Sequence, residues 1–260
     1  MAKKRAAPAP DDLSRFGRLA EYNRKRRFDV TPEPPGRAGK AKPRRALEFV
    51  VQKHRASHLH YDFRIEHDGV MLSWAVAKGP SLDPSVRRLA MMTEPHPMDY
   101  NAFEGVIPEG EYGGGTVMIW DRGTWEPESP DVDKALAKGD LKMRLNGKKM
   151  KGSWVLVRMR DRQWLLIKHR DAHASATVDL TLAKPKSVVS RRSMAGIARA
   201  AGASPRQLEQ AAGADNRMGG PDMAPQTVQA KGATPPSDSP GQRSSRPGGP
   251  GARLGRPTSA

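Results

Sequence analysis

The sequence predicts a mainly β fold: a small antiparallel β-barrel with short flanking helices and disordered termini. The centre of the chain consists of many short apolar runs separated by turn-forming residues, and it has almost no long stretch of helical periodicity. The 25 Gly and 23 Pro residues gather toward the two ends. Many short strands joined by Gly-rich turns are typical of an antiparallel barrel or sandwich, and we favour the barrel.

Residues 1–45 are predicted to form a basic N-terminal arm that is partly disordered. The first twelve residues are mostly Ala, Pro and Lys. A short helix is expected from about Leu13, with Asp12 as its N-cap. The following segment, "TPEPPGRAGKAKPRR", is predicted to be extended, because proline excludes helix and biases the residue before it toward extended backbone.

Residues 46–183 are predicted to form the barrel domain. The clearest turn is His67-Asp68-Gly69, because an Asp-Gly pair between two apolar runs indicates a hairpin. Further turns are expected at Arg122-Gly123 and Asn146-Gly147, a tight bend at Gly113–Gly115 and a helical turn at Asp133–Lys138. The expected strands are 47–54, 58–66, 70–79, 88–93, 116–121, 124–126, 141–145, 153–160 and 164–169. The five tryptophans all fall in or beside these strands and are expected in the core.

Residues 184–260 are predicted to be a basic, low-complexity C-terminal tail that is largely disordered. The stretch "SRRSMAGIARAAGASPRQLEQAAG" has some helical character. From Ala214 onward the composition is rich in Pro, Gly, Ser, Gln and Arg, so the chain buries too little apolar area to offset the entropy of ordering.

The positive charge is concentrated outside the predicted barrel. The arm has a net charge of +9 and the tail +8, whereas residues 46–183 are neutral overall, with 19 basic and 19 acidic residues. Basic flanks on a neutral domain favour a polyanionic partner, because each Lys or Arg that neutralises a phosphate releases a condensed counterion. The alternative is that the flanks only keep the protein soluble.

Cysteine is absent, which excludes disulfides and thiolate metal sites and fits a reducing compartment. No apolar run approaches the ~20 residues of a membrane span, and the N-terminus lacks the apolar stretch of a signal peptide. We expect a cytoplasmic protein that is monomeric and has no membrane contact.

Three of the seven histidines fall within residues 54–60, in "HRASHLHYDFR". On a strand, Tyr61, Phe63 and Ile65 would face the core, and His58, His60, Asp62, Arg64 and Glu66 would share the other face. His60 and Asp62 could then bind one divalent metal, with His54 as a third ligand. Mixed imidazole and carboxylate donors suit Mn²⁺, Zn²⁺, Fe²⁺ or Co²⁺. The alternative is a solvated polar strand face.

Three further residues are candidates for phosphate contacts. Arg64 offers a planar fork of donors beside the metal, although a structural ion pair with Glu66 or Asp68 is an alternative. His96 lies between Pro95 and Pro97, which would restrict its backbone and aim the ring. Taken alone, His96 is more simply an exposed loop histidine, and Tyr100 is either a hydrogen-bond donor or a core aromatic.

Three long motifs carry a family resemblance: "FVVQKHRASHLHYDFRIEHDGVMLSWAVAKGPSLDP", "EPHPMDYNAFEGVIPEGEYGGGTVMIWDRGTW" and "WLLIKHRD". Together they resemble the 3′-phosphoesterase domain of bacterial DNA ligase D over about residues 20–172. The resemblance implies a manganese-dependent enzyme that removes a 3′-terminal ribonucleotide and then a 3′-phosphate, leaving a 3′-OH for non-homologous end joining. Co²⁺ and Zn²⁺ are alternative metals.

The resemblance also implies roles for individual residues. The metal ligands would be His54, His60 and Asp62, and the phosphate contacts Arg64, His96 and Tyr100. Glu33, in "TPEP", matches an acidic residue that the family needs, and Gln52 and Lys78 match positions that line the site. The chain departs from the family at Arg27, where an Asp often precedes the Phe of "KRxF"; this puts the contribution of the arm in doubt.

The partners implied are DNA ends, or DNA with RNA-tailed 3′ ends, together with the end-binding protein Ku. The sequence contains no Lys-x-Asp-Gly nucleotidyltransferase motif. It therefore looks like a stand-alone version of the domain, for which a separate ligase and polymerase would supply the other activities.

Two other functions remain open from the residues alone. A barrel oxygenase could use His60, Asp62 and His96 as a non-haem iron triad. A non-catalytic DNA-end adaptor would bind through its basic flanks, with strong salt dependence and no product. Release of phosphate from a 3′-phosphorylated oligonucleotide would distinguish the phosphoesterase from both.

Overall fold

The computed structural model describes residues 17–37 and 46–215. These residues all lie within one compact unit, Met1–Pro225. The second unit, Gln226–Ala260, lies outside the described residues, as do the predicted helix start at Leu13 and its Asp12 cap, residues 38–45 of the arm and the tail from residue 216.

Eight antiparallel strands close into a barrel, which confirms the predicted fold class. Around the barrel the order is β1-β2-β3-β4-β10-β9-β8-β7, and β7 pairs back with β1. Two short strands lie off this ring, β5 on β3 and β6 on β7. The strands are β1 (Leu47–Arg55), β2 (Leu59–His67), β3 (Val70–Val76), β4 (Arg87–Met92), β5 (His96–Pro97), β6 (Gly105–Ile107), β7 (Gly115–Pro127), β8 (Asp140–Gly147), β9 (Lys151–Arg160) and β10 (Gln163–Lys168).

Short helices flank the barrel. They are α1 (Ala20–Arg24), α2 (Val132–Lys138), α3 (Leu180–Ala183), α4 (Met194–Ala200) and α5 (Pro205–Asp215), with a 3₁₀ turn at Met98–Ala102. The expected helical turn is α2: the Asp131 side chain caps its start, and Gly139 ends it at a φ of 81°. No helix among residues 17–37 and 46–215 is long and apolar enough to cross a membrane.

The segment 184–260, for which the sequence predicts a largely disordered tail, contributes α4 and α5. These helices pack against each other, and α4 also contacts β6 and β7. The two Asp215 carboxylate oxygens accept hydrogen bonds from the backbone N–H groups of Met194 (2.6 Å) and Ala195 (3.3 Å), which joins the end of α5 to the start of α4.

The barrel interior is filled by alternate residues of its strands. Tyr61, Phe63 and Ile65 of β2 all belong to the main core cluster, as the period of two predicts. The five tryptophans are all buried there too, which confirms the expectation for them. The other face of β2 is thereby turned outward.

Two predicted turns have different outcomes. The Asp68-Gly69 hairpin is confirmed, with φ values of 49° and 73° that suit a tight turn between β2 and β3. The Arg122-Gly123 turn is wrong, because β7 runs without interruption from Gly115 to Pro127. Gly123 instead allows close backbone approach: a Cβ there would lie 2.1 Å from the Asn146 carbonyl oxygen.

Candidate metal and phosphate site

The outward faces of β1 and β2 bring the predicted site residues into rows. His54 is paired with His60, Gln52 with Asp62, and Val50 with Arg64. These polar side chains are buried even though they lie outside the barrel core, because the arm and the segment around β5 and β6 cover this face. His58 begins the same row but is exposed, next to the turn between the two strands.

His54, His60 and Asp62 form a compact group of potential metal ligands. One nitrogen or oxygen from each lies within 4.8 Å of those of the other two. His54 Nδ1 is 3.6 Å from Asp62 Oδ2, and His60 Nε2 is 3.6 Å from Asp62 Oδ1. Separations of this size leave room for one ion between the three donors, since each metal–ligand bond is roughly 2.0–2.2 Å.

The outer nitrogens of both rings are held by backbone carbonyls. His54 Nε2 lies 2.8 Å from the Gly113 carbonyl oxygen, and His60 Nδ1 lies 3.1 Å from that of His58. Carbonyls only accept hydrogen bonds, so these nitrogens carry the protons. The lone pairs of His54 Nδ1 and His60 Nε2 then face Asp62, which is the arrangement a metal site needs. The donor set therefore fits a divalent cation.

The electrostatics keep the carboxylate ionised. Burial raises the pKa of Asp62, but Arg64 and His60 outweigh it and hold that pKa well below its usual range. Burial lowers the pKa of His54, which favours the neutral ring that binds metal. Burial also lowers the pKa of His60, yet the Asp62 carboxylate outweighs this and the net shift is upward.

Arg64 is fixed by three side chains. Its Nη2 donates to Asp62 Oδ2 at 3.0 Å, its Nε to Gln52 Oε1 at 2.9 Å, and its Nη1 to Ser73 Oγ at 2.6 Å. Gln52 is in turn anchored, since its Nε2 donates to the carbonyl oxygens of Tyr100 and Phe103. The guanidinium is thus placed directly against a potential metal ligand, and Gln52 orients it.

His96 and Tyr100 lie at the same place. His96 is buried, so the interpretation as an exposed loop histidine is wrong. Its ring centroid is 4.9 Å from that of Tyr100, whose ring lies 5.0 Å from the Arg64 guanidinium carbon. Burial raises the pKa of Tyr100 well above its usual value, so its hydroxyl keeps its proton.

Arg26 is a site residue that sequence reasoning missed. Its Nε donates to Glu33 Oε1 at 2.8 Å, its Nη1 approaches Glu94 at 3.4 Å, and its Nη2 lies 3.3 Å from His96 Nε2. The guanidinium also stacks 3.8 Å from the ring of Tyr22. The four-residue spacing of Tyr22 and Arg26 on a predicted helix was the available signal.

This contact determines the state of His96. His96 Nδ1 lies 2.9 Å from the Glu94 carbonyl oxygen, an acceptor, so Nδ1 carries the proton and Nε2 accepts from Arg26. Burial, with Arg64 and Arg26 nearby, lowers the pKa of His96 well below its ordinary value. His96 is therefore neutral.

Glu33 brings the arm to the site, where it is buried against Arg26 and also accepts from Thr31 Oγ1 at 2.9 Å. Arg27, the departure from the family pattern, forms an ion pair with Glu111 in the loop before β7. Lys25 pairs with Glu94 at 3.0 Å. The arm is thus tied to both segments that border the site.

Lys78 is placed differently from the other predicted site residues. It is exposed, in the turn that follows β3. Val76, two residues earlier, pairs with Tyr61, so this turn lies at the end of the barrel where β2 begins, close to His60. The described contacts of Lys78 do not join it to the cluster.

The comparisons with known proteins point to one family of domains. A family model described as the DNA Ligase D 3′-phosphoesterase domain matches residues 52–158. The multifunctional non-homologous end joining protein LigD of Pseudomonas aeruginosa is 50% identical over 182 residues, 68% of this chain and 22% of that protein. LigD of Mycobacterium tuberculosis H37Rv is 44% identical over 159 residues (61% and 20%), and that of Mycolicibacterium smegmatis 38% over 172 residues (64% and 22%).

The chain spans about a fifth of the length of these curated relatives. The matched region contains the three potential metal ligands, Gln52 and Arg64, together with most of the barrel strands. Residues 52–158, which include most of the barrel, thus match the DNA ligase D 3′-phosphoesterase domain, and the similar curated proteins are LigD proteins.

Proposed function

We propose that this protein is a metal-dependent phosphoesterase that heals 3′ ends of DNA and RNA-tailed DNA. It hydrolyses the terminal phosphodiester, so that the 3′-terminal ribonucleoside leaves and the phosphate stays behind as a 3′-phosphate; it then hydrolyses this 3′-phosphate to leave a 3′-OH. One observation carries the proposal: Asp62 is shared between the potential metal ligands His54 and His60 and the guanidinium of Arg64. A cation and a phosphate clamp next to each other are what hydrolysis of a phosphate ester requires.

His54, His60 and Asp62 would hold the metal, for which we propose Mn²⁺, with Co²⁺ or Zn²⁺ as alternatives. When bound, such an ion polarises a phosphoryl oxygen and lowers the pKa of a coordinated water. The protein's own contribution is to present two oriented imidazoles and one ionised carboxylate from two paired strands, without reorganisation.

Arg64 would bind the non-bridging oxygens of the phosphate. Gln52 and Ser73 hold its fork in one orientation, so little entropy is lost when the substrate binds. Tyr100 supplies a hydroxyl that stays protonated and can donate to the same group. Both donors would stabilise the negative charge that develops on the phosphoryl oxygens.

His96 and Arg26 would complete the phosphate pocket. The neutral His96 ring offers no Nε2 proton while Arg26 donates to it, so its first role is to position that guanidinium beside the substrate. Glu33 holds Arg26 from the other side. This assigns Glu33 to positioning, and it explains why the arm belongs to the site.

We also propose that the substrate ends arise in non-homologous end joining. The relatives carry that process in their names. On this basis the partners would be Ku and a separate ligase and polymerase, in the cytoplasm. Lys78, exposed at the His60 end of the barrel, is proposed as a contact to the outer part of the substrate.

The oxygenase alternative is less well supported. It used His96 as a ligand, but His96 Nε2 faces Arg26, and the third member of the cluster is His54. A guanidinium on the ligand carboxylate has a clear use with a phosphate ester. The adaptor alternative offers no reason for a buried cluster of two imidazoles and a carboxylate.

The test is an assay on a labelled primer-template that ends in one ribonucleotide. With Mn²⁺ we expect loss of the terminal ribonucleoside, then conversion of the 3′-phosphate to a 3′-OH, and no reaction in EDTA. Mg²⁺ and Zn²⁺ in parallel reactions identify the effective metal. A protein that binds this DNA but yields no product with any of the metals would support the adaptor instead.

A further inference from the structure

Basic side chains from three separate segments meet beside the site face and form a surface that we call the basic flank. Arg122 is on β7, and Lys148 and Lys149 follow β8. Lys184 and Lys186 follow α3, and Arg191 and Arg192 precede α4. Six are exposed and Lys149 is half-buried. The basic flank consists of Arg122, Lys148, Lys149, Lys184, Lys186, Arg191 and Arg192.

Hydrogen bonds fix these segments to one another. Lys149 Nζ donates to the carbonyl oxygens of Lys184 and Lys186, both at 2.7 Å. Trp120 Nε1 donates to the Lys184 carbonyl at 2.8 Å, and Lys149 Nζ lies 4.3 Å from the Trp120 ring centroid. The basic flank is therefore an ordered surface of the barrel.

The strand register connects the basic flank to the phosphate site. Val50 of β1 pairs with Arg122 on one side and with Arg64 on the other. Arg122 and Arg64 thus lie in one row, two strands apart, which is roughly 10 Å at the spacing of neighbouring strands. The Val188 N–H, between Lys186 and Arg191, donates to Ile119 on the same face at 3.0 Å.

Two carboxylates next to the segments of the basic flank are already bound to other groups. Asp121 accepts the backbone N–H groups of Lys148, Lys149 and Met150 at 2.7–3.0 Å. Glu104 Oε2 accepts from the Ile119 N–H and from Ser187 Oγ. Burial lowers the pKa of Lys149 to about 7; Asp121 opposes this, and Lys53 and Lys184 add to it. Within the basic flank, Lys184 is close enough to Lys149 to repel it, and a bound anion would relieve that repulsion.

We infer that the basic flank binds the sugar–phosphate backbone of the double-stranded tract next to the 3′ end. This inference rests on the proposed function, because it places the scissile phosphate at Arg64. B-DNA carries one negative charge per roughly 1.7 Å of axis, so about 10 Å corresponds to about three base pairs. The basic flank would therefore contact backbone phosphates that lie about three or more base pairs from the scissile phosphate.

A duplex fits this surface better than a single strand does. Binding of single strands typically uses aromatic side chains on which bases stack. The aromatic ring within the basic flank is Trp120, which is buried and covered by Lys149. Lys184, Lys186, Arg191 and Arg192 also lie beyond residues 52–158, so the family match did not indicate them.

The test uses charge reversal of three exposed residues, Lys148→Glu, Lys186→Glu and Arg192→Glu, in the full chain. A matched control reverses three exposed cations elsewhere, Lys138→Glu, Lys142→Glu and Arg160→Glu. Binding of a fluorescent 16-base-pair primer-template is measured by anisotropy in EDTA between 50 and 200 mM salt. For the first variant we expect about a tenfold or greater loss of affinity. The slope of its log binding constant against log salt concentration should be less steep by about 2–3. The control should bind like the parent.

Turnover on two substrates separates this inference from the proposed function. With Mn²⁺, the first variant should show a raised KM on the primer-template and an unchanged kcat. Its activity on a trinucleotide with a 3′ ribonucleotide should equal that of the parent. Parent-like duplex binding, or an equal loss on the trinucleotide, would overturn the inference. A parent that binds the duplex through these residues but cleaves neither substrate would refute the proposed function alone.

Discussion

The Nε2 atom of His54 lies 2.8 Å from the carbonyl oxygen of Gly113. Because a carbonyl oxygen only accepts hydrogen bonds, Nε2 carries a proton and donates it to Gly113. This contact leaves Nδ1 as the nitrogen that faces Asp62. Gly113 has a φ of 77°, a conformation that residues with a side chain rarely adopt. The loop before β7 thus supplies an outer partner for a potential metal ligand.

Gly113→Ala should weaken metal binding. The left-handed backbone becomes strained, the carbonyl shifts, and His54 loses its orientation; loss of such an outer contact typically costs 10–100-fold in metal affinity. Calorimetric titration with Mn²⁺ measures it. Gly110→Ala is the matched control, since Gly110 also has a positive φ (86°) but no heavy atom lies within 4 Å of the position that its Cβ would take. Equal affinities in the two variants would contradict the role of Gly113.

His60→Ala and Asp62→Ala should each abolish removal of both the ribonucleotide and the 3′-phosphate, while the barrel stays folded. Each change removes one of three ligands from a site that is otherwise preserved. Gel assays with Mn²⁺ give the activity, and circular dichroism reports the fold. His58→Ala, at an exposed residue just before β2, should behave like the parent. Manganese-dependent activity in either ligand variant would refute the assignment.

The Arg27–Glu111 ion pair should position the arm over the site. Its Arg27 end is 68% exposed, so the pair contributes little to global stability. Arg27→Glu places two carboxylates together and should lower kcat, because Arg26 and Glu33 lie on the same arm. Steady-state kinetics on the trinucleotide are the measurement.

The charge-swapped double variant, Arg27→Glu with Glu111→Arg, is the control for the arm. It restores an ion pair of opposite polarity and should recover most of the kcat. Failure of the double variant to recover activity, with a fold intact by circular dichroism, would show that Arg27 acts in another way.

The period-two pattern of β2 predicts from the sequence alone that two potential metal ligands, His60 and Asp62, share one strand face with Arg64. It could not place Arg26, because that contact depends on how the arm folds across the barrel. For the same reason the pattern left His96 as a loop histidine: flanking prolines indicate a rigid backbone, but burial comes from Tyr22 and Tyr100 packing on its ring.

The Arg122-Gly123 pair illustrates a different limit. A glycine after an apolar run is a common turn signal. In a barrel, however, a glycine is also needed where two backbones come close, and local sequence does not distinguish the two. The partners that decide the case, Phe49 and Gly147, are far away in the chain.

Stability should depend on pH through Asp171, which accepts hydrogen bonds from Lys168 Nζ (2.5 Å) and the Ser153 N–H (2.7 Å). Burial raises the pKa of Asp171, but these partners outweigh it and lower the pKa to about 2. Between about pH 2 and the unfolded value near 3.9 the unfolded chain binds more protons, so stability rises with pH there. The contribution is fully present above about pH 5 and is lost as the pH falls through about 2.

Asp171→Asn should therefore lower the free energy of unfolding by about 1–2 kcal/mol at pH 7, a figure reduced by partial solvent screening. The deficit should shrink steadily toward pH 2.5. Urea denaturation at four pH values measures it, with the exposed Asp161→Asn as control. A deficit that is the same at every pH would contradict the assignment of the low pKa.

The central claim is that His54, His60 and Asp62 coordinate one metal ion beside Arg64. Anomalous diffraction from a crystal soaked in MnCl₂ tests it most directly. We predict a single strong peak about 2.0–2.3 Å from His54 Nδ1, His60 Nε2 and an Asp62 oxygen. A peak elsewhere, or no peak on these side chains at saturating manganese, would contradict the account.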